Sequence, residues 1–226
     1  ELQHTSIVYL GRAYEQLRSA GVSRERIIVI GQLEEYRTFL RAGLPGIIPE
    51  AVFRHQLEAT EEACRRLIAE GGADYDGRDV HPATLRRVLL GIGPGRVVSP
   101  EAGSLFFGLY SHGDKHPSVP GVESEDPMKN EWFAHFPYPT PAEEQHELYS
   151  YVATAAAKEL KGRNRPTYYL YGSTLRAIFA QLFHSNPHRP IVGLLNYCLS
   201  GGNLAFMKNE AARRLYGADE WPLLLM

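Results

Sequence analysis

Two stretches of the chain begin as apolar runs and end in a reactive side chain: residues 105–113 and residues 191–202. Each apolar run is about one strand long and lacks polar alternation, which predicts strands of a sheet covered on both faces. The first stretch ends in His112-Gly113, and the second ends in Cys198 and a pair of glycines. Catalytic groups collect at the carboxyl ends of neighbouring parallel strands. The pattern therefore predicts that His112 and Cys198 meet at one edge of a parallel sheet.

The rest of the hydrophobic pattern predicts helices that alternate with short strands. Apolar positions at helical spacing indicate helices over residues 6–20, 33–41, 49–70, 85–90, 141–161, 173–183 and 203–216. We expect further strands at residues 27–30 and 223–225, a short strand or hairpin arm at residues 132–137, and a loop at residues 114–130. This alternation is typical of an α/β fold. We predict one domain over residues 1–226, with a large insertion at about residues 114–171 between the two reactive strands.

Composition and charge narrow the classes of partner. The chain has 226 residues, 44% hydrophobic residues, a net charge of -2 and a pI near 6.6, so no electrostatic feature favours nucleic acid or an acidic membrane surface. No apolar run approaches the ~20 residues that a membrane span needs. Residues 1–4 are neither an initiator methionine nor a signal peptide, so we expect a processed product or a fragment of a longer chain.

The chemistry that these residue types suggest is nucleophilic catalysis. Cys198 lies at a predicted turn from strand to helix, where a helix N-terminus lowers a thiol pKa and favours the thiolate. His112 supplies the base that such a nucleophile requires. Ser200 and Gly201 let backbone N–H groups approach a substrate oxyanion. Gly113 gives a substrate backbone room to pass the imidazole.

Several less specific interpretations compete with this one. A cysteine at a strand end is often a core residue, and Cys64, inside a predicted helix, is expected to be one. His112, Asp114 and His116 are metal-ligating types, but Gly113 argues against the helix that would align them. Ser200 lacks the Gly-x-Ser-x-Gly turn of a serine hydrolase. We expect no metal ion and no organic cofactor.

At its two reactive stretches the sequence resembles the legumain-type cysteine peptidases, which share the caspase-like fold. Those enzymes place His-Gly at the end of one strand, and Cys before a small-residue turn at the end of the next. The resemblance extends to the run from Asp74 to Pro82, Asp-Tyr-Asp-Gly-Arg-Asp-Val-His-Pro, which looks like a legumain signature. It covers roughly residues 7–45, 72–113 and 172–207. It implies a three-layer sandwich with a mostly parallel central sheet and helices on both faces, and an oxyanion hole formed by the backbone N–H groups of Gly113 and Cys198.

The chain departs from the family pattern around the substrate pocket. Ser111 stands where the family usually has Asp, and Leu199 stands where it usually has Glu or Gln. The pocket candidates are Ser111, Leu199, Ser200 and Gly201, and an apolar Leu199 satisfies a buried substrate amide less well. We therefore expect no strict preference for asparagine before the scissile bond. The family's first, central strand should precede residue 7, but residues 1–6 show no strand pattern. We therefore also expect omitted flanking sequence or completion of the sheet by another chain.

The candidate dyad and the resemblance lead to two alternative predictions of function. The first is a cysteine-type endopeptidase, or a transpeptidase-like acyl transferase, that acts on a peptide or protein through a Cys198–His112 dyad. The second is a catalytically lapsed legumain-like domain that serves as a structural or interaction subunit, with a protein partner bound through residues 114–171. The resemblance also implies a secretory, endolysosomal or vacuolar location.

Overall fold

A computed structural model describes residues 2–42, 49–117, 130–150, 168–197 and 223–225. The chain divides into two compact units, Glu1–Val80 and His81–Met226. Each unit is described by itself below. Within the described residues, no helix is long and apolar enough to cross a membrane.

The first unit is helical. Helix α1 lies against α3 and α4, and α2 lies against α3. The bounds are α1 Leu2–Ser19, a 3-10 helix Arg24–Arg26, α2 Leu33–Ala42, α3 Glu50–Ala63, α4 Arg65–Ala69 and a 3-10 helix Gly77–Asp79. These confirm the helices predicted near residues 6–20 and 33–41, whereas the single helix predicted over residues 49–70 is wrong. It is broken at Cys64, whose φ of -101° and ψ of 6° leave the helical region.

The core of the first unit explains why Cys64 is buried. The thiol has no exposed surface and lies 3.6 Å from the Ile7 carbonyl oxygen, as expected for a core cysteine. It is a free thiol, so it forms no disulfide. The buried residues that form this core are Ile7, Tyr14, Ile27, Val29, Leu33, Tyr36, Leu40, Phe53, Cys64 and Leu67.

The strand predicted at residues 27–30 is reduced to one parallel bridge, between Ile30 and Tyr75. The reason is the Asp74 side chain. Its carboxylate accepts a hydrogen bond from the Val29 N–H at 2.8 Å, where a strand partner would offer a carbonyl oxygen. The Gly31 N–H donates to the Tyr75 carbonyl at 3.0 Å, so the backbones run side by side for only a short distance.

The second unit contains a parallel sheet with the order β1–β5–β6, formed by β1 Leu105–Tyr110, β5 Ile191–Asn196 and β6 Leu223–Leu225. Leu105 pairs with Ile191, and Tyr110 pairs with Asn196. The parallel pairing of the two apolar runs is therefore confirmed. The odd-numbered face of β1 is buried, and Phe107 there packs edge-on against Phe179 at 5.8 Å. Phe106, on the opposite face, is 48% exposed, so that face is less covered than the apolar pattern predicts.

An antiparallel sheet with the order β2–β3–β4 follows β1 in the same unit. Its strands are β2 Gly113–Pro117, β3 Asn130–His135 and β4 Tyr169–Tyr171. The hairpin arm predicted at residues 132–137 is confirmed, but the loop predicted over residues 114–130 is wrong for residues 114–117. Those residues pair with β3, a long-range contact that their polar local sequence does not reveal.

Three helices complete the described part of the second unit: α5 Pro82–Leu90, α6 Ala142–Ser150 and α7 Gly172–Ser185. Helix α7 contacts β3 and β4, and α5 contacts both α6 and α7. The predicted inward positions of α7 are buried, namely Leu175, Ile178, Phe179 and Leu182. The unit is a mixed α/β structure, as predicted. The helix predicted at residues 203–216, and residues 151–161 of another, lie outside the described residues.

Candidate active site

The candidate base, His112, lies at the junction of the two sheets. It follows the last residue of β1 by two positions and directly precedes β2. The Ser111 N–H donates to the Asn196 carbonyl at 3.3 Å, so the parallel pairing with β5 continues to the residue before His112. The His112 side chain is half-buried. The backbone on both sides of His112 is thus held in strand pairing, and the residue retains access to solvent.

The candidate nucleophile, Cys198, lies just outside the described residues, as do the pocket candidates Leu199, Ser200 and Gly201. The residue before it, Tyr197, belongs to the described part of the chain. Tyr197 is buried and directly follows the end of β5. The last paired positions of the parallel strands are Tyr110 and Asn196. His112 follows Tyr110 by two residues, and Cys198 follows Asn196 by two. In sequence, both candidate residues thus follow the last paired positions of β1 and β5 by two residues.

The Gly113 N–H points away from β3, so the β2–β3 pairing does not use it. In an antiparallel pair, hydrogen-bonded residue pairs alternate with pairs that are not hydrogen-bonded. The His135 N–H donates to the His112 carbonyl at 2.8 Å, so His112 and His135 form a hydrogen-bonded pair. The next pair, Gly113 with Ala134, is then of the other kind. Its N–H groups are directed to the outside of the two strands.

Ser111 is tied to the insertion. Its hydroxyl donates a hydrogen bond to the backbone carbonyl of His135, the last residue of β3. This bond and the one from the His135 N–H to the His112 carbonyl hold β3 beside the candidate base. Sequence reasoning placed Ser111 among the pocket residues. The structure adds that its hydroxyl anchors a strand of the insertion.

Aromatic rings from the insertion continue from His112 across one face of the antiparallel sheet. The His112 and His135 rings meet edge-to-face at 6.4 Å, and His135 meets Tyr169 at 4.6 Å. Tyr169 stacks on Phe133 at 4.3 Å with an interplanar angle of 18°. We call the rings of Phe133, His135 and Tyr169 the aromatic shelf. Phe133 is buried, Tyr169 is half-buried and His135 is exposed.

The environment of His135 favours its neutral form. Partial burial lowers the pKa of this imidazole, the neighbouring His112 lowers it further, and Asp114 opposes both effects. A neutral ring beside His112 adds no positive charge that would repel an imidazolium there. The signal for this residue was present in the sequence, as a histidine within an aromatic strand. Its closeness to His112 depends on the pairing of β2 with β3, which local patterns do not predict.

Cys64 has none of the properties of a nucleophile. Burial raises the pKa of its thiol to about 11, so the thiol stays protonated at neutral pH. Within the described part of the chain, no group of three or more His, Cys, Asp and Glu side chains is arranged to hold a metal ion. The side chain of His116, considered above as a metal ligand, lies outside the described residues.

The signature run from Asp74 to Pro82 has structural roles in this chain. Asp74 forms a salt bridge with Arg24 at 3.0 Å, and Asp76 accepts hydrogen bonds from the Gly77 and Glu34 backbone N–H groups. Asp76 thereby caps the 3-10 helix at Gly77 and supports the first turn of α2. His81 accepts from the Thr84 N–H and caps α5. Sequence reasoning treated this run as a mark of resemblance and gave these side chains no roles.

Comparisons with known proteins add no relative: no protein-family model, no curated protein and no solved structure matches the chain.

Proposed function

We propose that this chain is a cysteine peptidase or peptidyl transferase of legumain type, with Cys198 as nucleophile and His112 as base. The observation that carries the proposal is the parallel pairing of β1 with β5, whose last paired residues are Tyr110 and Asn196. In sequence, His112 follows Tyr110 by two residues, and Cys198 follows Asn196 by two. A three-layer caspase-like sandwich is the architecture that we propose for the complete domain. The mixed α/β second unit, with the parallel pairing of β1 and β5, supports it.

The reaction follows from the chemistry of the two side chains. His112 takes the thiol proton, and the Cys198 thiolate attacks the carbonyl carbon of a peptide bond. The tetrahedral intermediate collapses as the C–N bond breaks, and the imidazolium gives its proton to the leaving amine. Water then attacks the thioester, releases the acid and restores the thiol. A peptide amine in place of water gives transpeptidation. No metal ion or organic cofactor is required for these steps.

The oxyanion of the intermediate needs donors that are already oriented. We assign this role to the backbone N–H groups of Gly113 and Cys198. The outward direction of the Gly113 N–H supports the first assignment. Loss of one such donor costs about 10²–10³ in kcat in other enzymes. The remaining pocket candidates, Leu199, Ser200 and Gly201, lie next to Cys198 in sequence, and apolar Leu199 favours a substrate residue other than a strict asparagine.

A second candidate function is a lapsed domain that binds a partner through residues 114–171. One observation favours it: the His135 ring of the insertion lies edge-to-face against His112, at 6.4 Å, next to the reaction centre. In that case the insertion would occupy part of the space that a substrate needs. The two candidates differ in whether Cys198 reacts faster than an ordinary exposed thiol.

The test is covalent labelling of the full-length chain with peptide electrophiles that carry Asn, Asp or Leu before the reactive carbon. The labelled residue is mapped by mass spectrometry in wild type, Cys198→Ala and His112→Ala. We expect label on Cys198 and a decrease of at least about 100-fold in its rate in His112→Ala, because a positioned base contributes about 10²–10⁴. The preferred residue reports which side chain fits the pocket.

Cys64 is the internal control for this experiment. It is fully buried with a raised thiol pKa, so a folded chain protects it and an unfolded chain does not. Label on Cys198 that His112→Ala leaves unchanged would support the lapsed domain. No label on Cys198, in a sample whose Cys64 stays protected, would exclude the peptidase.

A further inference from the structure

We infer that the aromatic shelf of Phe133, His135 and Tyr169 is a substrate subsite for an aromatic or large apolar residue on the leaving-group side of the scissile bond. The inference rests on the proposed function and names a substrate class for it. The observation behind it is a continuous series of rings that begins at the candidate base and crosses one face of the β2–β4 sheet.

The side of the scissile bond follows from the proton transfer. His112 gives its proton to the leaving amine, so the residues after the scissile bond lie next to the imidazole. Cys198 follows β5 in the parallel sheet, whereas the shelf belongs to the antiparallel sheet that continues from His112. The shelf is therefore attached to the histidine side of the dyad, where the leaving peptide lies.

The distances suit the first two residues of the leaving peptide. An extended peptide advances by about 3.3 Å per residue. The His135 ring is 6.4 Å from the His112 ring, and the Tyr169 ring is a further 4.6 Å from His135. Side chains one or two residues beyond the scissile bond thus reach both rings.

The exposure of the rings suits an apolar ligand. His135 is exposed and Tyr169 is half-buried, so their surfaces are open to solvent, while buried Phe133 supports Tyr169 from below by stacking. Aromatic side chains gain binding free energy from well-oriented ring contacts in addition to the area that they bury. Because the pKa of His135 is lowered, its ring at neutral pH is mostly uncharged, and it favours a ring over an acidic side chain.

The experiment measures cleavage of fluorescence-quenched peptides by the full-length chain. The peptides share the acyl side that labels Cys198 best, and carry Phe, Leu, Ala or Asp at the first and second positions of the leaving side. We expect kcat/KM for Phe to exceed that for Ala by about tenfold at one of these positions. His135→Ala should reduce this ratio to about threefold or less, and His135→Phe should preserve it. The backbone hydrogen bonds at residue 135 are retained in both variants.

Tyr168→Ala is the matched control. Tyr168 is 45% exposed and directly precedes β4. Its carbonyl accepts a hydrogen bond from the Phe136 N–H at 2.7 Å, and Tyr168→Ala keeps this bond while removing an exposed ring that is not part of the shelf. This variant should leave the Phe-to-Ala ratio unchanged. Labelling of Cys198 with a ratio that His135→Ala does not alter, or with no cleavage of the aromatic peptides, would overturn the shelf alone. Neither labelling nor cleavage would overturn both proposals.

Discussion

Substitution of Gly11 by alanine should change the free energy of unfolding through two opposing effects, steric overpacking and better helix propensity. Gly11 lies in α1, and an ideal Cβ there would be 2.5 Å from the Ala63 carbonyl oxygen and 2.6 Å from the Cys64 Sγ. The nearest atom belongs to the backbone, so no rotamer change relieves the contact. Overpacking of this kind costs about 1–3 kcal/mol, and we take about 3 because backbone must move. The better helix propensity of alanine returns about 1 kcal/mol. The free energy of unfolding should therefore fall by about 2 kcal/mol.

The buried thiol provides the assay. In a Cys198→Ala background, Cys64 is the only cysteine, because the chain has two. A disulfide reagent reaches Cys64 only when the first unit opens, so the labelling rate reports the free energy of that opening. A decrease of about 2 kcal/mol corresponds to labelling that is about 30-fold faster in Gly11→Ala.

A control in the same helix isolates the propensity effect. Gln16 is exposed on α1, so Gln16→Gly and Gln16→Ala differ in propensity without a packing contact. Labelling should be about fivefold slower in Gln16→Ala than in Gln16→Gly, as expected for about 1 kcal/mol. Gly11→Ala that labels no faster than its parent would refute the close approach of α1 to the Ala63–Cys64 turn.

Two further predictions concern charged groups of the first unit. Asp74→Ala leaves the mostly buried guanidinium of Arg24 without its carboxylate and the Val29 N–H without its acceptor, so the free energy of unfolding measured in urea should fall by about 3 kcal/mol. Asp74→Asn keeps an acceptor for the Val29 N–H and should lower the free energy of unfolding by less. Equal losses in the two variants would contradict this account. Hydrogen bonds, first from Arg18, lower the pKa of Glu70 to about 2 from an ordinary value of 4.5. This carboxylate thus stabilises the fold above pH 4.5 and loses its effect as the pH falls toward 2. Urea titrations at pH 2.5 and 5.5, followed by circular dichroism, should show a smaller pH dependence in Glu70→Gln, and an unchanged dependence would count against the assignment.

Sequence patterns predicted the elements whose signal is local. The two apolar runs became paired parallel strands, and the helical positions of α7 are buried as their spacing predicted. The failures share a cause, which is a contact between residues distant in sequence. The strand at residues 27–30 is limited by the carboxylate of Asp74, and the polar residues 114–117 form β2 only through β3. For the same reason, the sequence identifies His112 as a candidate base but does not reveal that His135 lies beside it.

Ser111, which stands where the legumain pattern has Asp, is linked structurally to the insertion at residues 114–171. In legumain-type peptidases, the family proposed above, Asp usually stands before the catalytic His. Here the hydroxyl at position 111 donates to the His135 carbonyl, and that bond joins β3 to the end of β1. An ionised Asp has only acceptor oxygens, so it would face the carbonyl oxygen without a proton between them. A residue with a donor is therefore needed wherever β3 pairs at this position. Under the proposed family assignment, serine in place of Asp fits the attachment of the insertion and is not in itself a sign of lost catalysis. The property that decides between the two proposed functions is then the reactivity of Cys198.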